Sequence, residues 1–146
     1  MSDRYQLWFK STLFKVMPDE DADTNPGRYG KDLAYWLRGK LVAKGFVVEE
    51  IIPEDWGWCI LCKRRPFRLW VGCGNVVDHN DDNKVPLATS PHSDRSIIWT
   101  CFVQAEASLL ARVFRKFDTE AAVRELYDAI KSILENEPGI VLLPEP

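Results

Sequence analysis

The segment Ile51-Ile52-Pro53-Glu54-Asp55-Trp56-Gly57-Trp58-Cys59-Ile60-Leu61-Cys62 sets two apolar runs on either side of a polar turn. Neither run is long enough for a helix, and their β-branched and aromatic residues favour extended backbone. A strand, a short Pro53-Glu54-Asp55 turn and a second strand follow, with the hairpin as the simplest connection. The chain must therefore build a sheet, and it does so with tryptophan and paired carboxylates close together.

A second segment fixes which side chains share a face. In Phe67-Arg68-Leu69-Trp70-Val71-Gly72-Cys73, the residues Phe67, Leu69, Val71 and Cys73 alternate with Arg68, Trp70 and Gly72. The period of two makes this a strand with one wholly apolar face. Further strands are expected over residues 5–16, 46–52, 56–63 and 96–105, the last being central because apolar residues occupy both of its faces. Ile140-Val141-Leu142-Leu143 reads as a short extended tail able to pair at a sheet edge.

Two stretches switch to the helical period. Leu33, Leu37 and Leu41 recur every fourth residue over 30–44, and Gly45 stands where a left-handed residue ends a helix. Val123, Leu126, Tyr127, Ile130, Ile133 and Leu134 give a longer series starting near Asp118 or Thr119, and Ser108 can cap a short helix before it. The order β-α-β-β-β-β-α-α predicts an α+β two-layer sandwich: a mainly antiparallel five-stranded sheet with helices on one face. With 146 residues and 46% hydrophobic content, residues 1–146 form a single domain with a core of its own.

Charge and segment composition narrow the function. A net charge of −3 and a pI near 5.4 supply no general field for a polyanion, so nucleic acid is disfavoured as a partner. No apolar run approaches the ~20 residues of a membrane span, and Met1-Ser2-Asp3-Arg4 does not open a secretory leader. Four cysteines in so long a chain suit reduced thiols, and a cytoplasmic location is expected.

The motifs are mostly deceptive. Cys59-Ile60-Leu61-Cys62 matches CxxC, but on a strand the two thiols point to opposite faces, which neither zinc nor thiol exchange can use. Asp78, Asn80 and Asp82 begin like a calcium loop, yet Asn83 replaces the glycine and Thr89 the closing glutamate. His79 and His92 lie in the same polar stretch, 74–95, without the spacing of a metal site. Gly27-Arg28-Tyr29-Gly30-Lys31 is too short between its glycines for a Walker loop and reads as a tight helix entry. Residues 18–27 read as a loop, an acidic run with turn formers in which no apolar residue larger than alanine could anchor it to a core. No catalytic residue, metal or cofactor is assigned, and Glu54 with Asp55 reads better as turn chemistry than as an acid and base pair.

Tryptophan remains. If Leu69 and Val71 face the helices, Arg68 and Trp70 lie on the opposite face, where Trp58, Trp99 and Trp8 can join them. Such an aromatic, partly basic face needs a cover. The expected role is a non-enzymatic binding module contacting a partner protein or a second copy of itself, with Trp70 and Arg68 as anchors and Trp58, Glu54 and Asp55 at the rim. A small-molecule site between the sheet and residues 74–95, using Arg68, Glu54 and His92, is the alternative. Single-stranded nucleic acid stacking on Trp70 beside Arg68 is the third reading.

Overall fold

The computed structural model describes residues 5–76, 97–106 and 119–146. The expectations attached to Asp78, His79 and His92, to the rest of the long polar loop, and to a helix opening at Ser108 lie outside the described residues. Among those described, strands β1 (Gln6–Ser11), β2 (Glu50–Glu54), β3 (Gly57–Lys63), β4 (Arg68–Asn75), β5 (Trp99–Glu106) and β6 (Ile140–Leu143) form one sheet in the order β2-β3-β4-β5-β1-β6. Every pairing is antiparallel. Helices α1 (Lys31–Ala43) and α2 (Thr119–Glu135), with a 3-10 turn at Glu20–Ala22, complete the described elements.

The α+β class holds, with six strands instead of the five expected. The sixth is the Ile140–Leu143 tail, whose four residues are too few to announce a strand alone but pair with Trp8, Phe9, Lys10 and Ser11 of β1. Two boundaries also move. β1 ends at Ser11 rather than Val16, because the Ser11 hydroxyl turns the chain by accepting the Leu13 amide at 3.0 Å and donating to the Gly139 carbonyl at 2.8 Å. β2 runs through Pro53 to Glu54, which its place at the sheet edge permits, since a proline there withdraws no ladder hydrogen bond from a neighbour. The hairpin turn is accordingly Asp55-Trp56, with Glu54 paired to Gly57, and not Pro53-Glu54-Asp55.

Helix α1 buries Leu33, Ala34, Leu37 and Leu41, and α2 buries Val123, Leu126, Ile130, Ile133 and Leu134. Both pack on the sheet face carrying Leu7, Phe9, Ile60, Leu69, Val71, Cys73 and Cys101. The α1 terminus follows the sequence signal closely. Gly45 has φ +96°, its amide donates to Val42, and the Phe46 amide donates to Leu41, the paired bonds of a left-handed helix cap. No described helix is long and apolar enough to cross a membrane.

The opposite sheet face carries an apolar cluster of its own. Cys59, Leu61 and Trp70 are buried there, with Ile52, Trp56 and Phe102 packed around them. Leu61 is wholly inaccessible. The simple layering of one covered and one bare face therefore does not describe this sheet.

Candidate functional site

Strand pairing decides which aromatic residues meet. Trp70 lies opposite Leu61 on one side and Gln104 on the other, and Gly72 lies opposite Cys59 and Phe102. Glycine at 72 lets the Phe102 ring lie across β4, since a Cβ there would stand 2.2 Å from the ring. An aromatic side chain resting over a sheet glycine covers backbone that would otherwise stay bare. The Phe102 ring sits 5.6 Å from Trp70, edge to face.

The third ring comes from the turn. Trp56 follows Asp55 at the tip of the β2–β3 hairpin and folds back over the sheet, stacking on Trp70 with centroids 5.6 Å apart and planes 25° from parallel. Its ring is also 5.1 Å from Phe102. The turn is held against the sheet by Gly57, whose φ is +152° and whose absent Cβ would fall 2.5 Å from the Cys73 carbonyl oxygen. Asn25 adds a tether by donating its Nδ2 to the Asp55 carbonyl at 3.0 Å.

These rings wall a cavity of about 380 Å³, completed by Tyr5, Gln6, Val103 and Gln104. Three aromatic faces make it mainly apolar, and two carboxamides and a phenol supply polar groups. Gln6 donates its Nε2 to Thr100 Oγ1 at 2.9 Å, which fixes the amide in place. A second cavity of about 420 Å³ shares Tyr5, Val103 and Gln104 and extends to Thr119, Glu120 and Val123. The Tyr5 hydroxyl donates to Glu120 between the two.

The residues singled out from sequence are only partly brought together. Trp70 takes its place on the outer face but is 9% exposed, its ring already engaged by Trp56 and Phe102. Arg68 is exposed on the same face, and both it and Glu54 act electrostatically on Cys59. Asp55 is exposed at the hairpin tip. Trp58 and Trp99 belong to the helix-side core instead, because they pair with Cys73 and Asn75, which occupy the helix-facing positions of β4. Trp8 does lie on the outer face, half-buried opposite Thr100. The sequence carries no clear signal for Trp56 and Phe102: the first stands where a strand is expected to start, and the second lies in an apolar run with no visible partner.

The acidic run 18–27 is anchored to the core after all, by a carboxylate and not by an apolar side chain. Glu20 is 3% exposed. Its Oε1 accepts the Met17 amide at 2.8 Å, and its Oε2 accepts the Gly30 amide at 3.0 Å, the Lys31 amide at 3.1 Å and Trp58 Nε1 at 3.1 Å. Gly30 cannot cap α1 with a side chain, so Glu20 supplies the missing acceptor from a distant turn. The position where a Gly-rich loop would hold phosphate is thus filled by the chain's own carboxylate. Asn75 fastens the same loop, accepting the Tyr29 amide at 2.9 Å and donating to the Gly27 carbonyl at 3.1 Å. Burial, helped by the neighbouring Asp21 and Glu20, raises the Tyr29 phenol above its ordinary pKa.

All four cysteines are free and buried. Cys59 lies in the outer cluster and Cys62 in the helix-side core, the opposite placement expected of CxxC on a strand. Burial first, and then the Glu54 charge, pushes Cys59 up to about 12, while burial and Glu49 push Cys62 to about 11. Cys73 is likewise raised by burial and by Cys101, whose sulfur stands 4.0 Å away across β4 and β5. Such thiols are poor nucleophiles. Among the described residues, no group of three or more histidine, cysteine or acidic side chains is arranged to hold a metal ion.

Comparison with known proteins finds no family model, curated protein or solved structure that matches this chain.

Proposed function

We propose that this protein is a binding module whose recess on the outer sheet face takes a flat, mainly apolar ligand, a one- or two-ring aromatic molecule with a polar edge. The observation that carries this reading is the cavity of about 380 Å³ walled by Trp56, Trp70 and Phe102. Its size falls within the ~300–1,000 Å³ usual for small-molecule sites. Aromatic walls favour a flat ring by stacking, and Gln6, Gln104 and Tyr5 offer polar atoms to its edge. The burial of Trp70 supports a small guest over a broad protein contact, because little of that side chain is left to reach outwards.

A partner protein inserting one aromatic side chain into the same recess is the second reading, favoured by the exposed Arg68 beside Trp70. Tryptophan and arginine together are common anchors of protein interfaces. The two readings separate on Arg68→Ala, which leaves binding of a free bicyclic compound intact but weakens a protein contact. As a test, indole, 2-naphthol and quinoline are added up to millimolar concentration while thermal unfolding is followed. A ligand that binds only the folded state raises the melting temperature with concentration. No shift from any of the three would contradict the small-molecule reading.

A further inference from the structure

The two edges of the sheet are built differently. β2, at one end, carries Pro53 and Glu50, and Arg64 ties that edge by ion pairs to Glu49 and Glu50. Proline and charge are the usual means of keeping an edge from pairing with another strand. β6, at the other end, is Ile140-Val141-Leu142-Leu143, with neither charge nor proline in it, and among the described residues it pairs with β1 alone. Val141 is 63% exposed, and Leu13, whose side chain packs at Gly139 beside this strand, is 40% exposed.

We propose that β6 is a self-association edge, pairing antiparallel with β6 of a second copy across a two-fold axis to join the two sheets. A free strand edge presents unpaired amides and carbonyls, so an extended backbone fits it best. The flanks favour a copy of the same strand over a longer foreign one. Pro138 lies before β6 and Pro144 after it, which limits the pairing length to the four residues that the copy also offers. Uncharged, identical strands meet without repulsion, and each covers the exposed Val141 of the other.

Side-chain parity restricts the register. Val141 and Leu143 share the outer face with Lys10 and Trp8, whereas Ile140 and Leu142 lie on the helix side. A two-fold axis perpendicular to the sheet keeps faces matched, so odd-numbered residues oppose odd ones and even oppose even ones. Either Val141 meets its own copy or Leu142 does.

Sedimentation equilibrium of the wild-type chain and of Val141→Lys tests the proposal. The wild type should form dimers in the micromolar range, and Val141→Lys should raise the dissociation constant at least tenfold with an unchanged circular dichroism spectrum. A wild-type chain monomeric at several hundred micromolar, or a dimer indifferent to the lysine, would overturn it. Should the lysine variant fold poorly, Val141→Cys and Leu142→Cys decide: mild oxidation should cross-link one of these two variants between chains far faster than the other. Equal, slow cross-linking of both would also overturn it.

Discussion

Glu20 is the side chain on which the loop entering α1 depends. Four donors converge on one buried carboxylate, and two of them are backbone amides at the start of a helix. Hydrogen bonds to a charged group contribute about 1.5–3 kcal/mol each when a partner is lost. Glu20→Ala should therefore destabilise the fold by at least about 3 kcal/mol in chemical denaturation, and Glu20→Gln by less, since one acceptor oxygen remains. A change below about 0.5 kcal/mol in Glu20→Ala would show that water replaces the carboxylate without loss. This role was not legible in the sequence, where Asp19-Glu20-Asp21 looks like any solvated acidic run. A signal was nevertheless present. A helix that opens on glycine, with no Ser, Thr, Asp or Asn at its cap, must find an acceptor elsewhere.

The thiols give a second prediction at the same scale. Cys59 and Cys62 titrate higher in the folded chain than the ordinary thiol value of 9.0, so folding favours their protonated forms. That contribution is complete below pH 9 and is lost as pH rises towards 11 to 12, because the unfolded chain releases these protons first. Stability measured by urea unfolding should fall between pH 9 and 11, and Cys59→Ser with Cys62→Ser should flatten the fall. At pH 8 the native thiols should react with a disulfide reagent far more slowly than those of the unfolded chain. Fast reaction in the native state would contradict their burial.

Among the elements, the β2–β3 hairpin does the most to shape the recess, because its two-residue turn carries Trp56 onto the outer face. The hairpin itself was readable from two apolar runs around a polar break. The placement of its tryptophans was not, since a shift of one residue in the turn exchanges the faces of everything that follows. Trp58 thus enters the core through its pairing with Cys73, and Trp56 takes the outer position expected of Trp58. In β4 the alternation of Leu69, Val71 and Cys73 with Arg68 and Trp70 fixed both faces without ambiguity, and both placements hold. The use of Gly72 became visible only once β5 set Phe102 beside it. Gly72→Val should push the Phe102 ring aside and abolish binding of aromatic compounds to the recess. Its stability should fall by about 1–3 kcal/mol, the range of an overpacked core. Unaltered ligand binding in a folded Gly72→Val protein would detach Phe102 from the site.

At the scale of the whole molecule, the sheet packs two helices on one face and builds an aromatic cluster on the other. Helical periods, strand alternation and the α+β class could all be read from spacing, because each depends on residues close in the chain. The extended tail at Ile140–Leu143 was readable as an edge segment, but its pairing with β1 and the recess depend on residues brought together from distant segments and could not be read in the same way. Under the proposed function Trp56 and Trp70 wall the ligand recess, while Trp58 and Trp99 belong to the closed core. Heteronuclear NMR of the six tryptophan indole N–H groups, assigned by substitution, tests this most directly during titration with indole or 2-naphthol. The Trp56 and Trp70 resonances should move in a saturable manner while those of Trp58 and Trp99 stay in place. No movement at millimolar ligand, or movement confined to Trp58 and Trp99, would contradict it.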